Sequence, residues 1–490
     1  MITTTQQQVQ HRWFFLLVIS LGLFMVSADN SILYTALPEL REQLSASDTQ
    51  ALWIINAYPL ILAGLLLGTG TLGDKIGHRR MFELGLILFA VASLAAALSP
   101  DANYLIAARA LLGVGAATMM PATLALIRLT FHDVQERNTA IGIWGSVAAV
   151  GAAVGPVLGG WLLEHFYWGS VFLINIPVAI FALLVTFRLA PPNIANPHKQ
   201  WDLLSSVLAM FTMLGAVMVI KQLANEGNIG VIVGAAVLAL STGTLFAVRQ
   251  RKLDEPLLTF DVFRNRIFSA GAIAAVAAMF ILAGTEMLTT QRFQLAHDFS
   301  PLQAGLVTAA IALAALPASI AGGANLHRWG FLPIISGGFS LIAVGLAVAW
   351  WGATDGDSFA IIITGLVLSG LGAGFAFSVA STAIIGSAPK HRAGMASSIE
   401  EVSFEFGTLI SVAILGSLFP RFYSNHAPAE IVDSYDAALH QEEWVSAAQS
   451  AIDSAYGDVL VVVTAVAIVA AIATAILLRG NPKETEYAHE

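Results

Sequence analysis

The chain contains no cysteine. That excludes a disulfide framework, a thiol nucleophile and a cysteine-held metal. Charge is scarce as well: Asp, Glu, Lys and Arg together make up 11% of the residues, where a soluble domain carries about 25%. The histidines stand singly, mostly in loops or at the ends of apolar runs, and no HExxH grouping occurs. A membrane-embedded enzyme would need a nucleophile–base pair or a metal cluster on one face, and neither is present. No GxxxxGK[ST] loop is found, so ATP is not the expected energy source, and no repeated pore loop supports a channel. Neither a cofactor nor a metal nor a nucleic-acid partner is expected.

Apolar residue types make up 57% of the chain. They fall into long runs, which reads as an all-α polytopic membrane protein. Fourteen spans fit, among them span 1 at 13–36, span 2 at 50–72, span 4 at 102–127, span 5 at 138–162, span 9 at 267–290, span 13 at 393–419 and span 14 at 458–478. With the N-terminus in the cytoplasm, eighteen Lys and Arg lie inside, four lie outside (Arg41, Lys221, Arg292 and Arg421), and Arg109 lies within a span. That bias predicts both termini inside. The stretch Gly73-Asp74-Lys75-Ile76-Gly77-His78-Arg79-Arg80 after span 2 has a degraded echo, Gly323 to Gly330, after span 10. An internal repeat of this kind predicts two related bundles. Residues 13–189 and 267–478 form them, joined by a linker at 190–266 that carries two inserted spans. An acidic outer loop at 420–457 is expected between spans 13 and 14. The solvated-surface reading of that loop is favoured over a partner site.

Ionisable groups inside spans are costly and point to function. Asp29 and Arg109 fall at similar depth in the outer half, so a partnership between them is geometrically possible. Glu400, Glu401 and Glu405 lie in span 13, with Glu401 and Glu405 one turn apart on one face and Glu400 about 100° away. They cannot all face lipid, so they are expected to line a cavity that takes cations and protons. Glu286 in span 9 either lines that cavity or reaches interfacial water. Aromatic rings complete a cation site, and Tyr34, Trp53, Tyr58 and Phe404 are candidates beside Asn56. An acid withheld from water can hold and release a proton near neutral pH. Asp29 is the first choice as coupling acid.

Five segments carry a family resemblance. Trp144-Gly145 with Gly151, Gly155-Pro156 and Gly159-Gly160 resembles the antiporter motif of the fifth span in major facilitator superfamily exporters. Gly151, Gly155 and Gly159 recur every four residues, giving a helix face with no side chains that a neighbour can approach closely, and Pro156 bends the helix. The Gly73, Asp74, Gly77, Arg79, Arg80 segment resembles the superfamily's loop 2–3 motif, which implies a latch between bundles. Ser27 to Pro38, around Asp29, resembles the first-span signature of the fourteen-span drug:proton antiporter family, and Arg109 matches a motif linked to proton transfer. Trp168…Phe172-Leu173-Ile174-Asn175-Ile176-Pro177 resembles another landmark, for which interfacial anchoring rather than transport is expected.

The resemblance to quaternary-ammonium and methyl viologen exporters of the QacA and SmvA type implies the major facilitator fold. It implies a monomeric, proton-coupled antiporter of lipophilic cationic drugs in the bacterial inner membrane, with no enzymatic activity. Asp29, Arg109, Glu401 and Glu405 would couple protons. Drug would meet Asp29, Tyr34, Trp53, Asn56, Tyr58, Glu286, Glu400, Glu401, Phe404 and Glu405. Such exporters tend to carry an aspartate where this chain has Asn56, which weakens the case for dications. The alternative is an exporter of one metabolite or antibiotic that uses the acids for protons only.

Overall fold

The computed structural model describes residues 12–196, 201–224, 227–253, 256–354, 358–432, 441 and 443–485. Fourteen of its helices are long and apolar enough to cross a membrane. In chain order they are α1 (Arg12–Gln43), α2 (Asp48–Ile76), α3 (His78–Ala97), α4 (Ala102–Thr130), α5 (Val134–His165), α6 (Ser170–Leu189), α7 (Leu203–Ala224), α8 (Ile229–Gln250), α9 (Arg266–Ala296), α10 (Pro301–Trp329), α11 (Phe331–Thr354), α12 (Phe359–Gly386), α13 (Ala393–His426) and α14 (Val445–Leu477). No strand occurs among the described residues.

Side-chain caps set several boundaries. Ser47 and Ser300 open α2 and α10 with capping boxes, each closed by a glutamine three residues on. Asp101, Asp133 and Asn265 cap α4, α5 and α9. Helix α14 starts thirteen residues before the expected span at 458. Its first turns, from Val445, fall in the stretch read as outer loop. Residues 433–440 and 442 of that loop lie outside the described residues.

Two cores form. One is built from α1 to α6 with the inner faces of neighbouring helices, and the other from α9 to α14. The internal echo is visible as one device used twice. Gly77 and Gly330 both take positive φ (97° and 81°), where an L side chain is strained. Asn193, beyond α6, accepts from Arg80 N and donates to the Ile76 carbonyl oxygen. Asn481, beyond α14, accepts from Leu332 N and donates to the Trp329 carbonyl oxygen. The structural repeat thus pairs Gly77 with Gly330. Matching Gly73 to Gly323 by sequence put the echo three residues out of register.

Helix α7 of the inserted pair lies against α2 and α13, and α8 packs on α7. Helix α8 has few buried residues, while α7 packs on α2 where Gly64 and Gly68 meet Met210 and Ser206. Leu60, Val217 and Leu409, from α2, α7 and α13, form a small buried cluster of their own. Just before α7, Asp202 pairs with Arg249 in the last turn of α8 (2.6 Å). Burial alone would raise the Asp202 carboxyl, but hydrogen bonds from Arg249 and Ser205 bring it down to about 2, so the pair is ionic at neutral pH.

The bundles meet along a glycine-rich seam at the end carrying residues 73–80, called here the motif end. A Cβ on Gly70 would lie 1.9 Å from Ser398 Oγ and 2.4 Å from the Gly394 carbonyl oxygen. A Cβ on Gly142 or Gly323 would lie 2.6 Å from Ser319 O or 2.2 Å from Asn138 O. Hydrogen bonds cross the same seam: Ser398 Oγ to Leu66 O (2.7 Å), Ser319 Oγ to Gly142 O (2.7 Å), and Arg128 Nη1 to Ile385 O. In this structure the motif end is closed.

Gly70→Ala adds a methyl with no room on either side. Overpacking costs about 1–3 kcal/mol, which corresponds to a shift of about 5- to 150-fold toward a state open at the motif end. Spin-label distances between α2 and α13 across that end should lengthen in the variant. Unchanged distances would show that the seam does not set the closed state.

Candidate functional site

Asp29 lies on α1, 2% exposed and held from several sides. Arg109 of α4, fully buried, places Nη1 on Asp29 Oδ2 as an ion pair and donates from Nε to the Ile54 carbonyl oxygen (3.1 Å). The guanidinium carbon stands 4.7 Å from the centre of the Tyr58 ring, within cation–π range. Asn175 of α6 donates to Asp29 Oδ1 (3.2 Å) and to Ser93 Oγ of α3 (3.3 Å).

The glycine face of α5 backs this arrangement. A Cβ on Gly151 would lie 2.8 Å from Ser27 Cβ, one on Gly155 1.8 Å from Ser31 Oγ, and one on Gly159 3.2 Å from Ile32 Cγ2. The bare face therefore receives α1, the helix of Asp29. Ser31 Oγ reaches the Ala28 carbonyl oxygen (3.1 Å) and the Gly151 carbonyl oxygen (3.4 Å). The side chains of Tyr34 and Pro156 lie outside the described residues.

The acids of α13 face this group from the other bundle. Tyr58, fully buried, lies in the electrostatic field of Asp29, Arg109, Glu405 and Glu401. Glu401 is 8% exposed and lies in the field of Glu400 and Glu405. Glu405, Asn56 and Glu286 are half-buried, and Trp53 is exposed. Phe404 stacks on Phe377 at 4.5 Å with their planes 10° apart. Glu400 is set apart, with no exposed surface and Ser381 of α12 as the polar side chain beside it.

The Gly73–Arg80 segment touches the second bundle. Asp74 Oδ1 accepts from Gly394 N, at the start of α13 (3.1 Å), and lies 3.0 Å from His78 Nε2. A carboxylate there complements the positive end of the helix dipole. Arg79 pairs with Glu83 (2.8 Å) and donates to the carbonyl oxygens of Phe187, Ala190 and Pro191 at the end of α6.

Two readings of the sequence need correction. Asn175, expected only to anchor a helix entry, bonds directly to Asp29. The signal was an asparagine inside an apolar run, passed over because its neighbours looked interfacial. Arg292, assigned to an outer loop, is fully buried in α9. Its Nε donates to Asp453 Oδ1 of α14 (2.7 Å), and its guanidinium carbon stands 5.0 Å from the Tyr456 ring centre. The apolar run of span 9 was ended too early, at 290, so the arginine fell outside it.

Residues 19–411 match the family model for the Major Facilitator Superfamily. The chain belongs to that superfamily. Among curated members, it is 35% identical over 447 residues to the multidrug efflux pump LfrA of Mycolicibacterium smegmatis, covering 91% of this chain and 87% of that protein. It is 37% identical over 419 residues to the methyl viologen resistance protein SmvA of Salmonella typhimurium, covering 84% and 83%. The human organic anion transporter MFSD10 has the same fold in its crystal structure, with a TM-score of 0.63 at 16% identity over 93% of this chain and 99% of that one. This member of the superfamily is a multi-pass membrane protein whose architecture and relatives fit a transporter.

Removing Arg109 alone leaves Asp29 as a buried charge without its counterion, which costs about 3–5 kcal/mol. Arg109→Ala should therefore lower the thermal stability of the purified protein strongly. Asp29→Ala combined with Arg109→Ala should recover a large part of the loss, and a double-mutant cycle reads the coupling. Additive effects would show that the two side chains do not act as a pair.

Proposed function

We propose that this protein is a proton-coupled exporter of lipophilic cations. Quaternary ammonium compounds and cationic dyes are the substrate class, and the bacterial inner membrane is the setting. The motif end is cytoplasmic, as the Lys and Arg distribution implies, so both termini are inside and the form described here is closed to the cytoplasm. The protein works as a monomer, with residues 13–189 and 267–478 as its two moving bundles.

The observation that carries this reading is the opposition of Asp29, with Arg109 and Tyr58, to Glu401 and Glu405 across the bundle interface. Carboxylates and aromatic rings suit a large, weakly hydrated cation. Asp29, Glu401 and Glu405 exchange protons. Tyr34, Trp53, Asn56, Tyr58, Glu286 and Phe404 supply surface to the drug. Arg109 and Asn175 orient Asp29. A cation and a proton that compete for the same carboxyls are linked reciprocally, so outside protons discharge the drug. Binding shifts the seam between two closed arrangements in an alternating-access cycle. The names of LfrA and SmvA support efflux of this class.

The test uses inverted vesicles with an acid interior. Tetraphenylphosphonium or ethidium, added outside, should drive proton release in wild type. Asp29→Asn should lower that release at least about tenfold, as expected for an interaction needed in the coupling step. No release with any of several cations would remove the polyspecific reading. It would favour a dedicated exporter of one metabolite or antibiotic.

A further inference from the structure

Beyond α14 the chain doubles back over the motif end. Gly480 and Asn481 both take positive φ (96° and 47°), which reverses its direction after the helix. Asn481 grips the turn between α10 and α11, and the Pro482 carbonyl oxygen accepts from Phe331 N (3.1 Å). The next residues reach the other bundle. Lys483, Glu484 and Thr485 line a small cavity together with Arg137 and Asn138 of α5 and Gly386 of α12. Arg137 and Asn138 are each 3% exposed and Thr485 is 9% exposed, so Thr485 is built into the seam rather than lying on it.

Gly386 is the seat of Thr485. A Cβ on Gly386 would lie 2.7 Å from Thr485 Oγ1, 3.1 Å from its Cγ2 and 3.4 Å from its Cβ. With all three atoms this close, no rotation about χ1 of Thr485 clears an added methyl. Gly386 follows Ile385, whose carbonyl oxygen accepts from Arg128 Nη1 across the seam. The tail therefore backs the last turn of α12 at the point where the first bundle holds it. The first bundle has a counterpart. Beyond Asn193, Asn196 N donates to the Asp74 carbonyl oxygen (3.4 Å), and the Asp74 carboxylate accepts from Gly394 N across the seam. Each bundle thus ends in a segment that backs the acceptor of a hydrogen bond from the other bundle.

We infer that residues 481–485 are a strap that holds the motif end closed, with Thr485 buttressing Gly386 so that the Ile385 carbonyl oxygen stays within reach of Arg128. Asn481 and Pro482 anchor the strap to the second bundle. Lys483 to Thr485 occupy the space between that bundle and α5 of the first. Opening the motif end separates α5 from α12 and draws apart the walls of the cavity, so the strap loses its seat in the open form. It adds to the closed state alone and thereby sets the resting balance between the two forms. The strap acts on the seam whatever molecule is transported.

The experiment uses the full chain in lipid nanodiscs, with spin labels on α2 and α13 across the motif end. The chain has no native cysteine, so two introduced cysteines are the only attachment points. Ending the chain after Pro482 keeps both anchors and removes the buttress. The population with long distances should then rise at least about fivefold. Gly386→Ala in the full chain should open the motif end to a similar degree, because its methyl displaces Thr485. In the shortened chain the same substitution should add less than about twofold, since nothing is left there to displace. Thr485→Gly in the full chain takes the place of the truncation if the shortened chain does not fold. Unchanged distances on losing the buttress would overturn the inference. So would a Gly386→Ala effect as large without Thr485 as with it. A wild type that moves no cation would remove the antiport reading and leave these distances to decide the strap.

Discussion

A guanidinium in the hydrocarbon of a bilayer must find a counterion. The Arg109–Asp29 pair is the contact around which the first bundle is organised. Arg109 sits fully buried on α4, so α1 has to deliver a carboxylate at the same depth, α2 has to offer a ring and a carbonyl oxygen, and α6 has to orient the second carboxylate oxygen through Asn175. The bare face of α5 follows from the same demand. Any side chain at Gly151 or Gly155 would push α1 away and draw Asp29 off the guanidinium. Desolvation makes the pair a poor source of net stability. Its value is positional, since a charge that costs much to leave alone fixes four helices relative to one another.

The second bundle repeats this solution with different residues. Arg292 of α9, also fully buried, takes Asp453 and the face of Tyr456 from α14, and Thr289 holds the Tyr456 hydroxyl (2.9 Å). His297 shares the same Asp453 oxygen (3.2 Å). The helices do not correspond through the repeat, so the likeness is one of chemistry and not of ancestry. Asp453 keeps about a quarter of its side chain exposed, whereas Asp29 keeps almost none. That difference separates a clamp at the surface from a group withheld from water.

The helix count and the pairing of Asp29 with Arg109 were legible in the sequence because each rests on a strong constraint. Apolar length marks a span, and a charge inside a span stands out. The glycine spacing in α5 showed that a helix would approach closely, but it carried no label saying that the helix was α1. Asn175 was read as an anchor because a neutral amide inside an apolar run costs less than a charge and signals more weakly. Arg292 was misplaced because a span was ended at the first polar cluster, although the helix continues six residues further, to Ala296. The register of the internal repeat depended on the positive φ of Gly77 and Gly330, which residue identity alone does not reveal at one glycine among several.

Helix α13 joins the two halves of the mechanism in one rigid body. Its first turn gives Gly394 N to Asp74, its second gives Ser398 Oγ to the Leu66 carbonyl oxygen, and the next two carry Glu400, Glu401 and Glu405. From Gly394 to Glu405 is eleven residues, about 16 Å at 1.5 Å per residue. Over that distance an α-helix transmits displacement with little loss. The seam contacts of α13 with α2 are made by backbone, carboxylate and hydroxyl groups within hydrogen-bond distance. Close packing of this kind is bistable, so under the antiport proposed above a change of charge at the acids would bias the choice between a closed and an open motif end.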